Sequence, residues 1–370
     1  MKKLFAILLS LVLCLSLVTA MAESDSVLTI PWDSSIGVDS IFESPWTDIQ
    51  SLYEPAVFEG LLAGERDGTF SPKLAKEYTV SEDGLTYTLV LQDNVKWHDG
   101  EPFTADDVVW SYNTACSAHP NGLLGAIFSG IEGYDAFVAG EADALAGLTA
   151  DGNTVTFKLT APDRTMLITL SVLRILPKHC FEGVAAVDVD KYEPFWSKPV
   201  GTGMYMIDQA AFPDYATLVP FADYYGEKPS IQTIQMVNYK AGGQDAVAAA
   251  LIAGEVSFAW GNALNDLGMA QSLVASNPDL AYLIVPATYE RCLYFNLGVR
   301  EDGNVKPCLL DTNVRRAFDM ILDKETMASF YGEQACAVTT LVPPGHAMYN
   351  TDIPAPVQDL ETAKSMLDAA

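Results

Sequence analysis

The pattern of hydrophobic and polar positions is most regular within residues 53–114. Apolar side chains recur there at every second position, at Leu85, Tyr87, Leu89 and Leu91. This period of two predicts a half-buried strand. The preceding Glu82-Asp83-Gly84 has the composition of a tight turn, so the strand is expected to form one side of a hairpin.

A capped helix is predicted after this strand. Thr104 is a suitable N-terminal cap, and Asp107, three residues later, can bond back to the backbone of Thr104 as in a capping box. The apolar face of the helix would begin at Val108, Val109 and Tyr112.

The same two periodicities continue along the chain and predict an α/β protein. A second hairpin is expected at 148–161, around the turn Asp151-Gly152-Asn153. Further strands are predicted at 27–31, 204–207, 216–220, 231–239 and 256–260. Helices are predicted at 45–60, 244–253 and 313–330, the last broken around Asp323, and a final helix is expected to start near Asp359.

Length and charge narrow the class of protein. The chain has 370 residues, which exceeds the usual size of one hydrophobic core, so two or more domains are expected. It carries 48 acidic and 21 basic residues, a formal net charge of −27. Because such a surface repels phosphate groups, we expect no nucleic-acid partner.

The N-terminus has the three parts of a secretory signal peptide. Lys2 and Lys3 precede an apolar run at 4–18, and Ala20-Met21-Ala22 provides small residues for cleavage after Ala22. Residues 1–22 are therefore predicted to be a signal peptide, and the protein to be periplasmic or at the cell surface or extracellular. We interpret Cys14 as part of the apolar run, with a lipid anchor at this residue as the alternative.

Motifs for catalysis or metal binding are absent from the sequence. It has no G-x-S-x-G, no P-loop and no pair of histidines at a ligand spacing, so we predict no enzyme, no cofactor and no metal site. His98, beside Asp99, is predicted to be a surface-turn histidine. Five cysteines follow the signal peptide without a C-x-x-C pair, which argues against a dense disulfide framework: Cys116, Cys180, Cys292, Cys308 and Cys336.

Several motifs together resemble one family. EGL at 59–61, PKLA at 72–75, SEDGLTYTLVL at 81–91, KWHDGEPFTADDVVWSY at 96–112 and GTGMY at 201–205 occur in this order. They are similar to those of the family 5 extracellular solute-binding proteins, the peptide-, nickel- and sugar-binding receptors of ABC importers. The likeness continues more thinly to the end of the chain, for example in Asp311, Val314 and Arg315.

The resemblance implies a fold and a domain order. The fold would be a periplasmic-binding-protein-like two-lobed α/β fold (type II, cluster C) with an extra small α+β domain. Domain I would comprise 26–44 and 154–240, domain II 45–153, and domain III 241–370. Family members continue beyond Ala370, so the sequence is expected to be C-terminally truncated, with an incomplete second lobe. An aspartate that anchors the peptide amino group in peptide-binding members would lie in that absent part.

The resemblance also implies a function. The protein would be the substrate-binding component of an ABC importer, a monomer that captures a small solute, with a short peptide favoured, by hinge closure and delivers it to an ABC permease. Loops at strand ends would contact the ligand, through Trp32, Asp33, Ser34, Ser35, Trp260, Gly261, Asn262, Tyr289 and Arg291. The alternatives are an extracellular hydrolase and a ligand sensor with the same fold.

Overall fold

The computed structural model describes residues 26–32, 54–65, 69–120, 127–212, 214–260, 263–284, 292–298, 307–330, 335–338, 340, 342, 349–354 and 357–370. The chain divides into two compact units, Met1–Asn265 and Asp266–Ala370. The three predicted domains remain a prediction. The predicted signal peptide lies outside the described residues.

Strands are confined to the first unit in the part of the chain that is described. They are β1 (Val27–Trp32), β2 (Leu62–Gly64), β3 (Phe70–Pro72), β4 (Ala75–Val80), β5 (Thr86–Leu91), β6 (Leu148–Asp151), β7 (Thr154–Lys158), β8 (Tyr205–Ala211), β9 (Tyr215–Pro220) and β10 (Thr233–Asn238). They form two four-stranded sheets, β1-β10-β9-β8 and β4-β5-β7-β6, and the small pair β2-β3.

Helices occur in both units. The first unit contains α1 (Glu54–Val57), α2 (Ala105–Ala118), α3 (Tyr134–Val138), α4 (Met166–Val172), two 3-10 helices (Lys178–Phe181 and Ala186–Lys191), α5 (Glu193–Trp196) and α6 (Gly243–Ala253). The second unit contains α7 (Leu267–Ser276), α8 (Pro307–Leu310), α9 (Thr312–Ile321), α10 (Lys324–Ser329) and α11 (Leu360–Ala369). No helix among the described residues has the length and apolar character needed to cross a membrane.

The antiparallel sheet β4-β5-β7-β6 confirms the predicted alternation of buried and partly exposed residues. Along β5, Tyr87, Leu89 and Leu91 are buried, and the residues between them are only partly covered. Asp83 accepts hydrogen bonds from the Leu85 N–H at 3.0 Å and from the Ser81 hydroxyl, so it fixes the predicted turn. The second predicted hairpin is β6–β7.

The helix α2 covers this sheet, and its start is capped as predicted. The carboxylate of Asp107 accepts hydrogen bonds from the Thr104 N–H at 2.8 Å and from its hydroxyl at 3.1 Å. On the apolar face, the ring of Tyr112 meets Phe157 edge-on, with centroids 4.9 Å apart, and Phe128 at 5.1 Å. These aromatic contacts hold α2 against β7.

The GTG segment requires glycine at Gly201 and Gly203 because the backbone of α1 lies close to both residues. A Cβ atom at Gly201 would lie 1.8 Å from the carbonyl oxygen of Val57, and one at Gly203 would lie 2.2 Å from that of Ala56. The segment therefore packs directly on the backbone of α1. Only residues without a side chain allow this approach.

His98 is buried against this segment, so its prediction as a surface-turn residue is wrong. Its Nε2 donates to the Gly203 carbonyl at 2.9 Å, and its Nδ1 accepts from the Gly201 N–H at 3.2 Å. Burial lowers the pKa of His98 to about 4, although the Gly203 bond and Asp99 act in the opposite direction. The ring is therefore neutral at pH 7 and serves as a bridge between two backbone segments.

The strand predicted at 256–260 is also wrong. The segment runs beside β1, but among the described residues its only backbone bond to that strand is from the Ser257 N–H to the Thr29 carbonyl, at 3.1 Å. A ladder needs a repeated pair of such bonds. The preceding helix does end as predicted, with Gly254 in the left-handed conformation at φ 73°.

Four helices of the second unit, α7, α9, α10 and α11, begin at aspartate caps. Asp266, Asp311, Asp323 and Asp359 each accept a hydrogen bond from a backbone N–H of the first turn. The cap at Asp323 separates α9 from α10, which confirms the predicted break, and the cap at Asp359 confirms the predicted start of the last helix. The helices α9 and α11 pack together, with Ala317 and Ala363 buried.

Candidate functional site

The candidate site lies in the first unit, where β1 and β10 end. These two strands are parallel, so their C-terminal ends share one edge of the sheet, and Trp32 pairs in register with Asn238. The Trp32 carbonyl accepts a hydrogen bond from the Tyr239 N–H at 2.6 Å, which extends the pairing past the last residue of β10. Ligands of open α/β sheets bind at such carboxyl ends.

Two tryptophans that are 228 positions apart in number (260 − 32) stack at this edge. The ring centroids of Trp32 and Trp260 are 6.2 Å apart, and the ring planes differ by 27°. Trp32 is 1% exposed, and Trp260 is half-buried. Both were predicted as ligand contacts, and the structure brings them together.

The backbone around Trp260 fixes its position. The Ser257 N–H bonds to β1, three residues before the tryptophan. The Trp260 carbonyl then accepts hydrogen bonds from the Ala263 N–H at 3.0 Å and from the Leu264 N–H at 2.9 Å. Backbone hydrogen bonds on both sides of Trp260 along the chain therefore fix the position of this residue.

The indole nitrogens give this edge of the sheet two hydrogen-bond donors. Nε1 of Trp32 and Nε1 of Trp260 are both buried and have no hydrogen-bond acceptor among the residues that the structure describes. Indole N–H groups are donors only, and an unsatisfied buried donor costs about 1–3 kcal/mol. A carbonyl or carboxylate oxygen of a ligand would satisfy such donors.

A cavity of about 620 Å³ opens at the same edge. Its lining combines an aromatic ring, an amide, a carboxylate and an ammonium group, contributed by Asp214, Tyr215, Val237, Asn238, Lys240 and Ala241. Its volume lies in the usual range for small-molecule sites. A polar molecule with both charge signs would find complementary groups there.

The residues that line this cavity are not among those predicted from the sequence. Asp214 lies between β8 and β9, Tyr215 is the first residue of β9, and Lys240 follows the end of β10. The polar composition of these connections was the available signal, but the pairing of β8, β9 and β10 decides which strand ends meet. The other predicted site residues lie outside the described residues and remain predictions: Asp33, Ser34, Ser35, Gly261, Asn262, Tyr289 and Arg291.

Comparison with known proteins identifies the family. Residues 69–370 match the bacterial extracellular solute-binding proteins, family 5 middle region, and the chain belongs to this family. A Brucella ovis protein, named provisionally as an ABC transporter peptide-binding protein, is 29% identical over 304 residues, covering 80% of this chain and 51% of the relative. The dipeptide-binding protein of Escherichia coli is 28% identical over 314 residues, covering 81% of this chain and 54% of the relative.

Solved structures show the same fold. The NikZ protein of Campylobacter jejuni, crystallised with Ni(L-His), superposes with a TM-score of 0.74 at 22% identity, covering 93% of this chain and 63% of that one. The predicted fold class, the periplasmic-binding-protein-like fold, is thereby confirmed. The chain spans about half the length of the curated relatives it matches.

Proposed function

We propose that the protein is the extracytoplasmic substrate-binding component of an ABC importer, and that it captures a short peptide. The stacked pair Trp32 and Trp260, whose buried indole N–H groups have no acceptor among the described residues, is the observation that carries this proposal. Asn238, the register partner of Trp32, lines the cavity at the same end of the strands. Family membership supports the class of protein, and the names of the Brucella and Escherichia relatives support a peptide as the solute.

Peptide chemistry suits the groups at this edge. Each peptide unit offers a carbonyl acceptor, which the indole N–H groups could satisfy. The two termini carry opposite charges, which complement Asp214 and Lys240. Stacked aromatic rings provide a flat apolar surface for a side chain or for the peptide plane.

The mechanism follows from the two-state behaviour of ligand receptors. A ligand that contacts the closed form better than the open form shifts the population toward closure by its differential affinity. The closed, loaded monomer would then deliver the peptide to an ABC permease in the membrane. The acidic surface favours solubility outside the cytoplasm and disfavours the binding of nucleic acid.

Isothermal titration of the purified chain against a library of di- to pentapeptides tests the proposal. We expect saturable heat with at least one peptide and none with a sugar panel. Heat only with sugars or with a nickel–histidine chelate would overturn the peptide assignment and leave the class of receptor intact. Turnover of chromogenic glycan or peptide substrates would instead support an extracellular hydrolase.

A ligand sensor with the same fold is the other alternative. Peptide binding alone does not separate a sensor from a transport receptor. Uptake of a labelled peptide by cells that lack the gene does, because a transport receptor is required for uptake and a sensor is not. Undiminished uptake by cells lacking only this gene would contradict the transport role.

A further inference from the structure

Three potential metal ligands lie together in the first unit, away from the stacked tryptophans in sequence. Asp99 lies in the turn that closes the bridge between Lys96 and Pro102, and His179 and Cys180 lie on the 3-10 helix Lys178–Phe181. One ligand atom from each of the three residues lies within 4.8 Å of the other two. His179 Nε2 is 2.8 Å from Asp99 Oδ2, and Cys180 Sγ is 4.0 Å from the same oxygen.

Local hydrogen bonds fix the Asp99 side of the cluster. Asp99 Oδ1 accepts from the Glu101 N–H at 3.2 Å, so Oδ2 is left for the histidine and the cysteine. The turn itself is closed by the Gly100 N–H, which donates to the Trp97 carbonyl at 2.9 Å. The carboxylate is thus oriented by the backbone of a tight turn.

The other side is fixed by the 3-10 helix. The Lys178 N–H donates to the carboxylate of Asp107 at 3.0 Å, and the Cys180 N–H donates to the Pro177 carbonyl at 3.0 Å. Phe181 is buried and anchors the helix, while the ring of His179 meets Trp97 edge-on at 6.4 Å. The ligand atoms are therefore presented by two rigid segments, as precise sites require.

We propose that Asp99, His179 and Cys180 form a binding site for a divalent transition-metal ion, with Zn²⁺ the best match. Thiolate sulfur, imidazole nitrogen and carboxylate oxygen are the three ligand types that zinc takes from proteins. Three protein ligands leave a fourth position for water. Asp99 and His179 each expose 34% of their side chains, so an ion can enter from solvent.

Binding requires movements of less than about 1 Å in the two ligand pairs that include Asp99. With bonds of about 2.0–2.3 Å, ligand atoms on one tetrahedral zinc lie about 3.3–3.8 Å apart. The pair His179–Asp99 must open from 2.8 Å, and the pair Cys180–Asp99 must close from 4.0 Å. The ion replaces the hydrogen bond between imidazole and carboxylate. The proton on His179 Nε2 leaves to solvent as the Zn–N bond forms, the neutral ring keeps or takes up its proton at Nδ1, and the thiol proton leaves to solvent as the Zn–S bond forms.

The test uses the purified chain after reduction and removal of metal with a chelator. Co²⁺ is added as a spectroscopic probe, because a thiolate ligand gives a sulfur-to-cobalt charge-transfer band in the near ultraviolet. Zn²⁺ is then titrated to displace Co²⁺. We expect one equivalent of Co²⁺ to produce the band and one equivalent of Zn²⁺ to remove it.

Variants distinguish metal binding at this site from metal binding at the other cysteines. Cys180→Ser is nearly isosteric and should keep the melting temperature of the metal-free chain while abolishing the band. Asp99→Asn should weaken Zn²⁺ binding at least about 10-fold. Cys292→Ser, at an exposed cysteine of the second unit, is the matched control and should leave both signals unchanged. Absence of the band in the unsubstituted chain, or a band that survives Cys180→Ser, would overturn the proposal.

Discussion

The side chain of Glu59 is 1% exposed, and its carboxylate lies 3.1 Å from the ammonium nitrogen of Lys73. The hydroxyl of Tyr224 donates to the same carboxylate oxygen at 2.8 Å. Glu59 belongs to the EGL motif, Lys73 to PKLA, and Tyr224 to the loop after β9. The ion pair and this hydrogen bond therefore tie two of the family motifs and the loop after β9 together inside the first unit.

Replacing Lys73 by methionine should destabilise the protein. The buried carboxylate would lose its cation and keep only the neutral hydroxyl donors of Tyr224 and Tyr225. We expect this loss to lower the free energy of unfolding by about 3 kcal/mol at pH 7. Chemical denaturation of the variant and of the unsubstituted chain at pH 7 measures the loss.

Lys96→Met is the matched control for this change. Lys96 also contacts a carboxylate, that of Asp223 at 2.7 Å, but both side chains are about half exposed. Surface pairs of this kind contribute about 0–1 kcal/mol. Equal losses in the two variants would show that burial of Glu59 has no special energetic role.

Gly203→Ala should be strongly destabilising. The added methyl group would lie 2.2 Å from the Ala56 carbonyl oxygen, so either α1 or the GTG segment must move. We expect a loss of at least about 3 kcal/mol, as for severe overpacking of a core. The free energy of unfolding of the purified variant gives the value.

Gly130→Ala provides the reference for that experiment. No atom lies within 4 Å of a Cβ built at Gly130, so the substitution adds a methyl group to open space. Its effect should stay within about 0.5 kcal/mol. A loss in Gly203→Ala no larger than this would contradict the close packing.

The lowered pKa of His98 predicts how the stability of the protein depends on pH. Its pKa is about 4 in the folded chain, against an ordinary value of 6.5. Above pH 6.5 both the folded and the unfolded states carry a neutral ring, so its contribution is fully present. As the pH falls from 6.5 to 4 the unfolded state binds the proton first, and about 3 kcal/mol of stability is lost.

The measurement compares unfolding curves of the unsubstituted chain and His98→Gln between pH 4 and pH 7.5. Every other titrating group is shared, so the difference between the two profiles isolates His98. We expect the stability advantage of the unsubstituted chain to decrease toward pH 4. Profiles that remain parallel over this range would contradict the low pKa.

Local patterns could be predicted from the sequence because local interactions produce them. The alternation of Tyr87 and Leu89 and the cap formed by Thr104 and Asp107 involve neighbours in the chain. Trp32 lies at the C-terminal end of the first strand, where open α/β sheets bind their ligands, and its contact with a ligand stays a prediction.

Long-range contacts account for what the sequence could not predict. His98 has a turn-like sequence context, and only the approach of Gly201 and Gly203 buries it. The segment 256–260 has the composition of a strand, but a strand also needs a partner that supplies repeated bonds. The meeting of Asp99 with His179 depends on how two distant turns pack, and no spacing rule connects them.

The central claim is that the stacked pair Trp32 and Trp260 forms part of the peptide site. Trp260→Ala removes one ring and one N–H donor from that site. Trp110→Ala is the matched control, because Trp110 is also half-buried and stacked on an aromatic ring, that of Phe181 at 5.4 Å. Thermal melts of both variants are the check that each remains folded before binding is compared.

The most direct measurement is the calorimetric Kd of the best-binding peptide for the unsubstituted chain and for these two variants. A tenfold change in Kd corresponds to about 1.4 kcal/mol, which is within the range for loss of one aromatic contact with its hydrogen bond. We predict that Trp260→Ala weakens binding at least about 10-fold and that Trp110→Ala changes it less than about twofold. Equal affinities for both folded variants would contradict the account.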